Sequence, residues 1–229
     1  MTVSFCGFDV CDELWAVDGQ YMDPCKLKRL TDRTCKREKW WIARLWMREG
    51  IPYFLKDHPI AWEALRTYLA GQLGVSTRDV ALVGSAKLGY SLKVEKYAEP
   101  YNRRKSDIDL LLVSEKHFQR LVDDAETWLR EFDAEIVTPR NKKTRSRWEN
   151  NQKEVPKHIK RGFVQVDRVP PLDRYETVSK ISWLCKEVGI QVQRYADDIP
   201  KEVSMRVYKD WKSFEKQNSK TLDLIIKKL

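Results

Sequence analysis

The run Asp107-Ile108-Asp109-Leu110-Leu111-Leu112-Val113 constrains this chain more than any other feature. Its apolar residues are those of a buried strand, yet it opens on two carboxylates at positions i and i+2. On a strand, side chains two apart leave on the same face. Two like charges side by side repel unless a cation lies between them. In an apolar strand that arrangement is costly without a metal. Oxygen-only ligation by carboxylates suits magnesium, which leaves its other positions to water and substrate phosphates. The run therefore predicts a core strand with a metal-binding end.

The surroundings support a sheet. Val80-Ala81-Leu82-Val83 is a short apolar run closed by Gly84-Ser85, with Gly89 following, and reads as a buried strand entering a turn. Gly84 lets backbone approach a ligand closely, and Ser85 can donate to a phosphate oxygen. Trp62, Leu65, Tyr68, Leu69 and Leu73 recur at helical spacing and stop at Gly74. Phe118, Leu121, Val122, Ala125, Trp128 and Leu129 trace one face of another helix. Residues 37–47 predict a helix ending near Gly50, and residues 134–138 a further strand. Residues 163–167 predict a third core strand ending on Asp167, beside the sheet centre. The rest reads as helical, over 173–188 and 201–228, with Val203, Val207, Trp211 and Phe214 as the apolar stripe of the last helix. Phe5, Phe8, Val10, Leu14 and Trp15 predict a short element packed on the core. Helices alternating with a few short strands indicate an α/β or α+β fold.

A Gly-Ser turn followed by Asp-x-Asp on the next strand resembles the nucleotidyltransferases of the DNA polymerase β type. The resemblance covers residues 78–170. Val83-Gly84-Ser85-Ala86-Lys87-Leu88-Gly89-Tyr90-Ser91 with Ser106-Asp107-Ile108-Asp109 is more locally similar to small stand-alone bacterial members, several linked to antiphage defence. The resemblance implies a small mixed sheet flanked by helices. It divides the chain into an N-terminal helical extension (1–58), a nucleotidyltransferase core (59–172) and a C-terminal helical region (173–229). It implies two Mg2+ ions, replaceable by Mn2+, held by Asp107, Asp109 and a third carboxylate. Asp167 is the candidate for that third ligand, with Glu135 and Asp133 as alternatives. Gly84, Ser85 and Lys87 would meet the phosphates of an NTP or dNTP. The chain departs from the family in one respect: Ser85 and Asp107 stand 22 positions apart, longer than the compact family spacing. A segment over 93–105 that loops out would reconcile the two.

Composition limits the partners. The 43 Lys and Arg against 34 Asp and Glu give a net charge of +9, which favours an anionic partner. Lys142, Lys143, Arg145, Arg147, Lys153, Lys157, Lys160 and Arg161 concentrate much of it in one stretch, a candidate contact for triphosphate or nucleic acid. Five cysteines without CxxC spacing and three scattered histidines argue against a zinc site or a disulfide framework. No run approaches the ~20 apolar residues of a membrane span, and the N-terminus lacks a signal-peptide pattern. A cytoplasmic protein without a membrane partner is expected. Trp40, Trp41 and Trp46 read as core rather than as a base-stacking platform. The reading is a metal-dependent nucleotidyltransferase acting on a nucleic-acid or nucleotide acceptor, including synthesis of defence oligonucleotides. The alternatives are a catalytically inactive nucleotide- or nucleic-acid-binding module, or a toxin–antitoxin partner, on the same fold.

Overall fold

A computed structural model describes Leu14 and residues 19–102, 104–193 and 202–228. Among them are eight α-helices and one four-stranded mixed sheet. The N-terminal layer is α1 (Pro24–Arg33) and α2 (Lys36–Leu45), followed by α3 (Pro59–Leu73). Then come β1 (Val80–Val83), the one-turn α4 (Ser85–Leu88), β2 (Ile108–Val113), α5 (Glu115–Asp133) and α6 (Lys142–Lys160). The chain ends with β3 (Phe163–Gln165), α7 (Glu176–Val192), β4 (Val203–Tyr208) and α8 (Trp211–Lys228). Of the apolar residues expected to form an N-terminal element, Phe5, Phe8, Val10 and Trp15 lie outside the described residues.

The strand order is β1-β2-β4-β3. β2 runs antiparallel to β1 and parallel to β4, and β3 is antiparallel to β4. Period-2 alternation then sorts the side chains by face. One face carries Leu82, Leu110, Leu112, Met205, Val207 and Val164 into the main core. Against it lie α3 (Trp62, Leu65, Leu69), α5 (Phe118, Leu121, Trp128), α6 (Trp148, Val155) and α7 (Ile181, Leu184). The other face carries Ala81, Leu111, Val113, Phe163 and Tyr208, covered in part by Phe214 of α8. A third cluster joins Leu27 and Leu30 of α1 and Ile42 of α2 to Leu222 and Ile225 of α8. The Lys39–Asp223 pair (2.6 Å) and the Arg44–Glu215 pair (3.2 Å) bridge α2 to α8 at its edge.

Three expectations need correcting. Residues 203–208 are not helical: Val203, Met205 and Val207 alternate, and β4 sits between β2 and β3. The region 173–229 is thus not a helical appendage, because it supplies an interior strand of the sheet. Residues 134–138 form turn and coil rather than a strand, and Glu135 takes a positive φ of 57° as α5 ends. Residues 163–167 form an edge strand of three residues, and Asp167 lies on the 3-10 turn that follows, Val166–Arg168.

Candidate active site

The sheet topology gathers Gly84, Ser85, Asp107, Asp109, Ser204 and Asp167 at one end. β1 and β3 finish there while β2 and β4 begin there. Asp109 pairs with Val83 on one side and Ser204 on the other. The Ser204 hydroxyl donates to Asp109 Oδ1 at 3.1 Å. On the opposite flank the carboxylate lies against Gly84, where an added Cβ would stand 2.7 Å from Asp109 Oδ2. Gly84 has φ 73° and ψ −155°, a conformation open in practice only to glycine. The Gly-Ser turn and the Asp-x-Asp strand are therefore one structural unit, with the turn shaped around the second carboxylate.

The long spacing resolves as a looped excursion. Tyr90 bridges Pro100, and Tyr101 N–H donates to the Gly89 carbonyl at 2.7 Å. These contacts close residues 91–99 into a loop and return the chain to β2 in register.

Burial sets the electrostatics of Asp109. It pushes the carboxyl above its ordinary range; Arg206 and the Ser204 hydrogen bond pull it back, and Asp107 pushes it up again. Asp107 Oδ1 is shielded from solvent and has no hydrogen-bond partner. A buried carboxylate oxygen without a donor is an exception, since such atoms otherwise find partners. Two carboxylates, one with an unpartnered oxygen, are donors of the kind that magnesium takes when it leaves its other positions to water and phosphate.

Asp167 stands apart from this pair. Ser204 and Arg206 of β4 lie between β2 and the end of β3, and Asp167 is an exposed side chain beside Gln165 Nε2 at 3.4 Å. Asn151 holds the turn that carries it, donating to the Arg168 carbonyl at 2.8 Å while Arg168 donates back at 3.1 Å. Among the described residues no three His, Cys, Asp or Glu side chains come together as a metal cluster. The alternatives Glu135 and Asp133 close α5, which packs on the opposite face of the sheet from Asp109.

Lys87 is also turned away. It is buried at 1% exposure, and its Nζ donates to the Ile51 carbonyl at 3.4 Å in the N-terminal layer. Burial pulls its pKa down to about 8, with Glu49 opposing. A single helical turn leaves Lys87 no room to face both the core and the sheet end. Lys93, in the looped segment, is the nearby lysine whose charge reaches Asp109.

Arg206 and Ser204 were not among the expected site residues. Arg206 shares a face with Asp109 and Ser204, and its guanidinium lies over the Phe163 ring at 5.3 Å. Burial works against its charge, but Tyr208, Asp109 and Asp167 outweigh this and raise its pKa. The signal for both was the alternation Val203, Met205, Val207, which marks a strand and turns Ser204 and Arg206 to its other face.

No protein-family model, curated protein or solved structure matches this chain.

Proposed function

We propose that the chain is a metal-dependent nucleotidyltransferase whose reaction centre is the end of the sheet bearing Asp107 and Asp109. The observation that carries this reading is the seating of Asp109 against Gly84 beside an Asp107 oxygen that lacks a partner. Asp107 and Asp109 would hold Mg2+ or Mn2+, which when bound supplies charge stabilisation to phosphoryl transfer. The chain's own residues hold the triphosphate. The Ser85 hydroxyl donates to a phosphate oxygen, and Lys93 and Arg206 offset phosphate charge at the rim and floor of the site. Ser204 keeps Asp109 in its rotamer by hydrogen-bonding one of its two oxygens. The acceptor is a nucleic-acid end or a second nucleotide, in keeping with the net charge and with the resemblance to defence-linked members.

Arg206 favours a second reading. Its strand separates Asp109 from the turn that bears Asp167, and both carboxylates act on its charge, where a three-carboxylate centre needs its members together. On this reading the site binds a nucleotide without transferring it, as a sensor or as a toxin–antitoxin partner.

One experiment separates the two. The protein is incubated with Mg2+ or Mn2+ and each ribo- and deoxyribonucleoside triphosphate labelled at the α-phosphate, with and without RNA. The Asp107→Ala/Asp109→Ala double variant serves as control. Label entering a larger product only with intact carboxylates supports transfer. Carboxylate-dependent triphosphate binding without any product supports the binding module.

A further inference from the structure

A second polar concavity lies at the opposite end of the sheet, where β4 finishes and α8 begins. It is a cleft of about 600 Å3 between the start of α5, the end of α6 and the first half of α8. Five cations line it: Lys160 and Arg161 from the end of α6, Lys209 after β4, and Lys216 and Lys220 from α8. Ser213, Gln217 and Gln119 add neutral donors between them. Ser213, Lys216, Gln217 and Lys220 recur at helical spacing and so share one face of α8.

The walls are fixed. Lys209 N–H donates to the Gly162 carbonyl at 2.9 Å, and Gly162 lies against the Ser213 hydroxyl, too close to admit a larger residue. The single carboxylate in the lining, Asp210, is committed to its own helix, accepting from Ser213 N–H at 2.7 Å. Lys209 reaches the exposed Glu115 at 3.6 Å. Among the described residues Lys160, Arg161, Lys216 and Lys220 form no ion pair. Those four cations outnumber the nearby carboxylates Asp210 and Glu115 and repel one another, and an entering polyanion relieves that repulsion.

We propose that this cleft binds the phosphodiester backbone of a nucleic acid. From Ser213 to Lys220 the α8 wall runs about 10 Å, more than one phosphate occupies, and the α6 pair faces it. The apolar lining residues are Phe118, Val122 and Ile159; the one aromatic among them, Phe118, is buried in the core. With no ring exposed to stack on bases, contacts go to phosphate and sugar, and binding is independent of sequence. The cleft lies about 17 Å along β4 from the level of Asp109. It is separate from the proposed reaction centre and does not depend on that reading.

The test is fluorescence anisotropy with labelled 20-nucleotide RNA and DNA single strands, without divalent metal, across a salt series. The wild-type chain should bind both with steep salt dependence. Lys216→Gln/Lys220→Gln should weaken binding about tenfold at low salt and flatten the salt slope by about 1.4. Lys142→Gln/Lys143→Gln removes the same charge at the exposed start of α6 and should leave affinity within about twofold, as expected for a solvated charge outside the contact. Equal losses in the two variants would overturn the proposal, because net charge alone would then account for binding. So would absence of binding at about 50 mM salt, or inorganic triphosphate competing as well as an oligonucleotide of equal charge. Asp107→Ala/Asp109→Ala should keep full oligonucleotide affinity, so failure of nucleotidyl transfer and failure of this cleft give different results.

Discussion

At the scale of single residues, Gly84 and Asp109 depend on each other. Alanine at position 84 would adopt a backbone reserved for glycine and press its Cβ on the Asp109 carboxylate. Gly84→Ala should lower stability by about 1–3 kcal/mol and abolish metal-dependent triphosphate binding; urea denaturation and titration calorimetry read the two effects. His158 carries a pH effect. It stacks on Phe163 at 4.6 Å with its Nδ1 buried and unpartnered, and burial together with Arg168 and Arg206 pulls its pKa down to about 4. The unfolded chain, with an ordinary imidazole value of 6.5, binds this proton first. Stability from this group is therefore full above pH 6.5 and declines as pH falls towards 4. His158→Phe keeps the stack, removes the titration, and should flatten the fall in thermal midpoint across that window. An unchanged pH profile would assign the acid sensitivity elsewhere.

At the scale of elements, the sheet is held by helix faces whose loss is costly. Trp128 on α5 is fully buried, stacking on Phe132 at 6.0 Å and meeting Trp148 of α6 edge-on at 6.1 Å. Trp128→Ala should destabilise by about 3–5 kcal/mol, measured by denaturant titration. α3, β1, β2 and α5 were legible in the sequence because each has one unambiguous period or a closed apolar run. β4 was not, because Val203, Val207 and Trp211 at intervals of four satisfy the helical and the strand period together. Met205, the residue that breaks the tie, contributes little β preference of its own. Asp167 was misplaced for the same reason. With 203–208 read as helix, the strand over 163–167 was expected beside the sheet centre, and the intervening Ser204 and Arg206 could not be foreseen. The direction of Lys87 had no sequence signal, since a one-turn helix offers no periodicity.

At the scale of the whole molecule, the N-terminal layer, the sheet and the C-terminal region interlock. β4 hydrogen-bonds to both β2 and β3, and α8 closes the core against α1 and α2. A chain ending at residue 172 should lack cooperative unfolding by circular dichroism; a sharp transition would show that residues 1–172 fold without the C-terminal region. No helix among the described residues is long and apolar enough to cross a membrane. The two polar ends of the sheet differ in sign, with carboxylates at one and a cluster of cations at the other, and the two proposals assign them a metal–triphosphate and repeated phosphates respectively. Asp107 and Asp109 are proposed to form a divalent-metal site completed by a triphosphate. Manganese titration followed by the electron paramagnetic resonance signal of the free ion tests it most directly. The wild-type chain should remove Mn2+ signal more strongly when a nucleoside triphosphate is present than the triphosphate alone does, and Asp107→Asn and Asp109→Asn should each abolish the difference. Equal signal loss in wild type and both variants would contradict it.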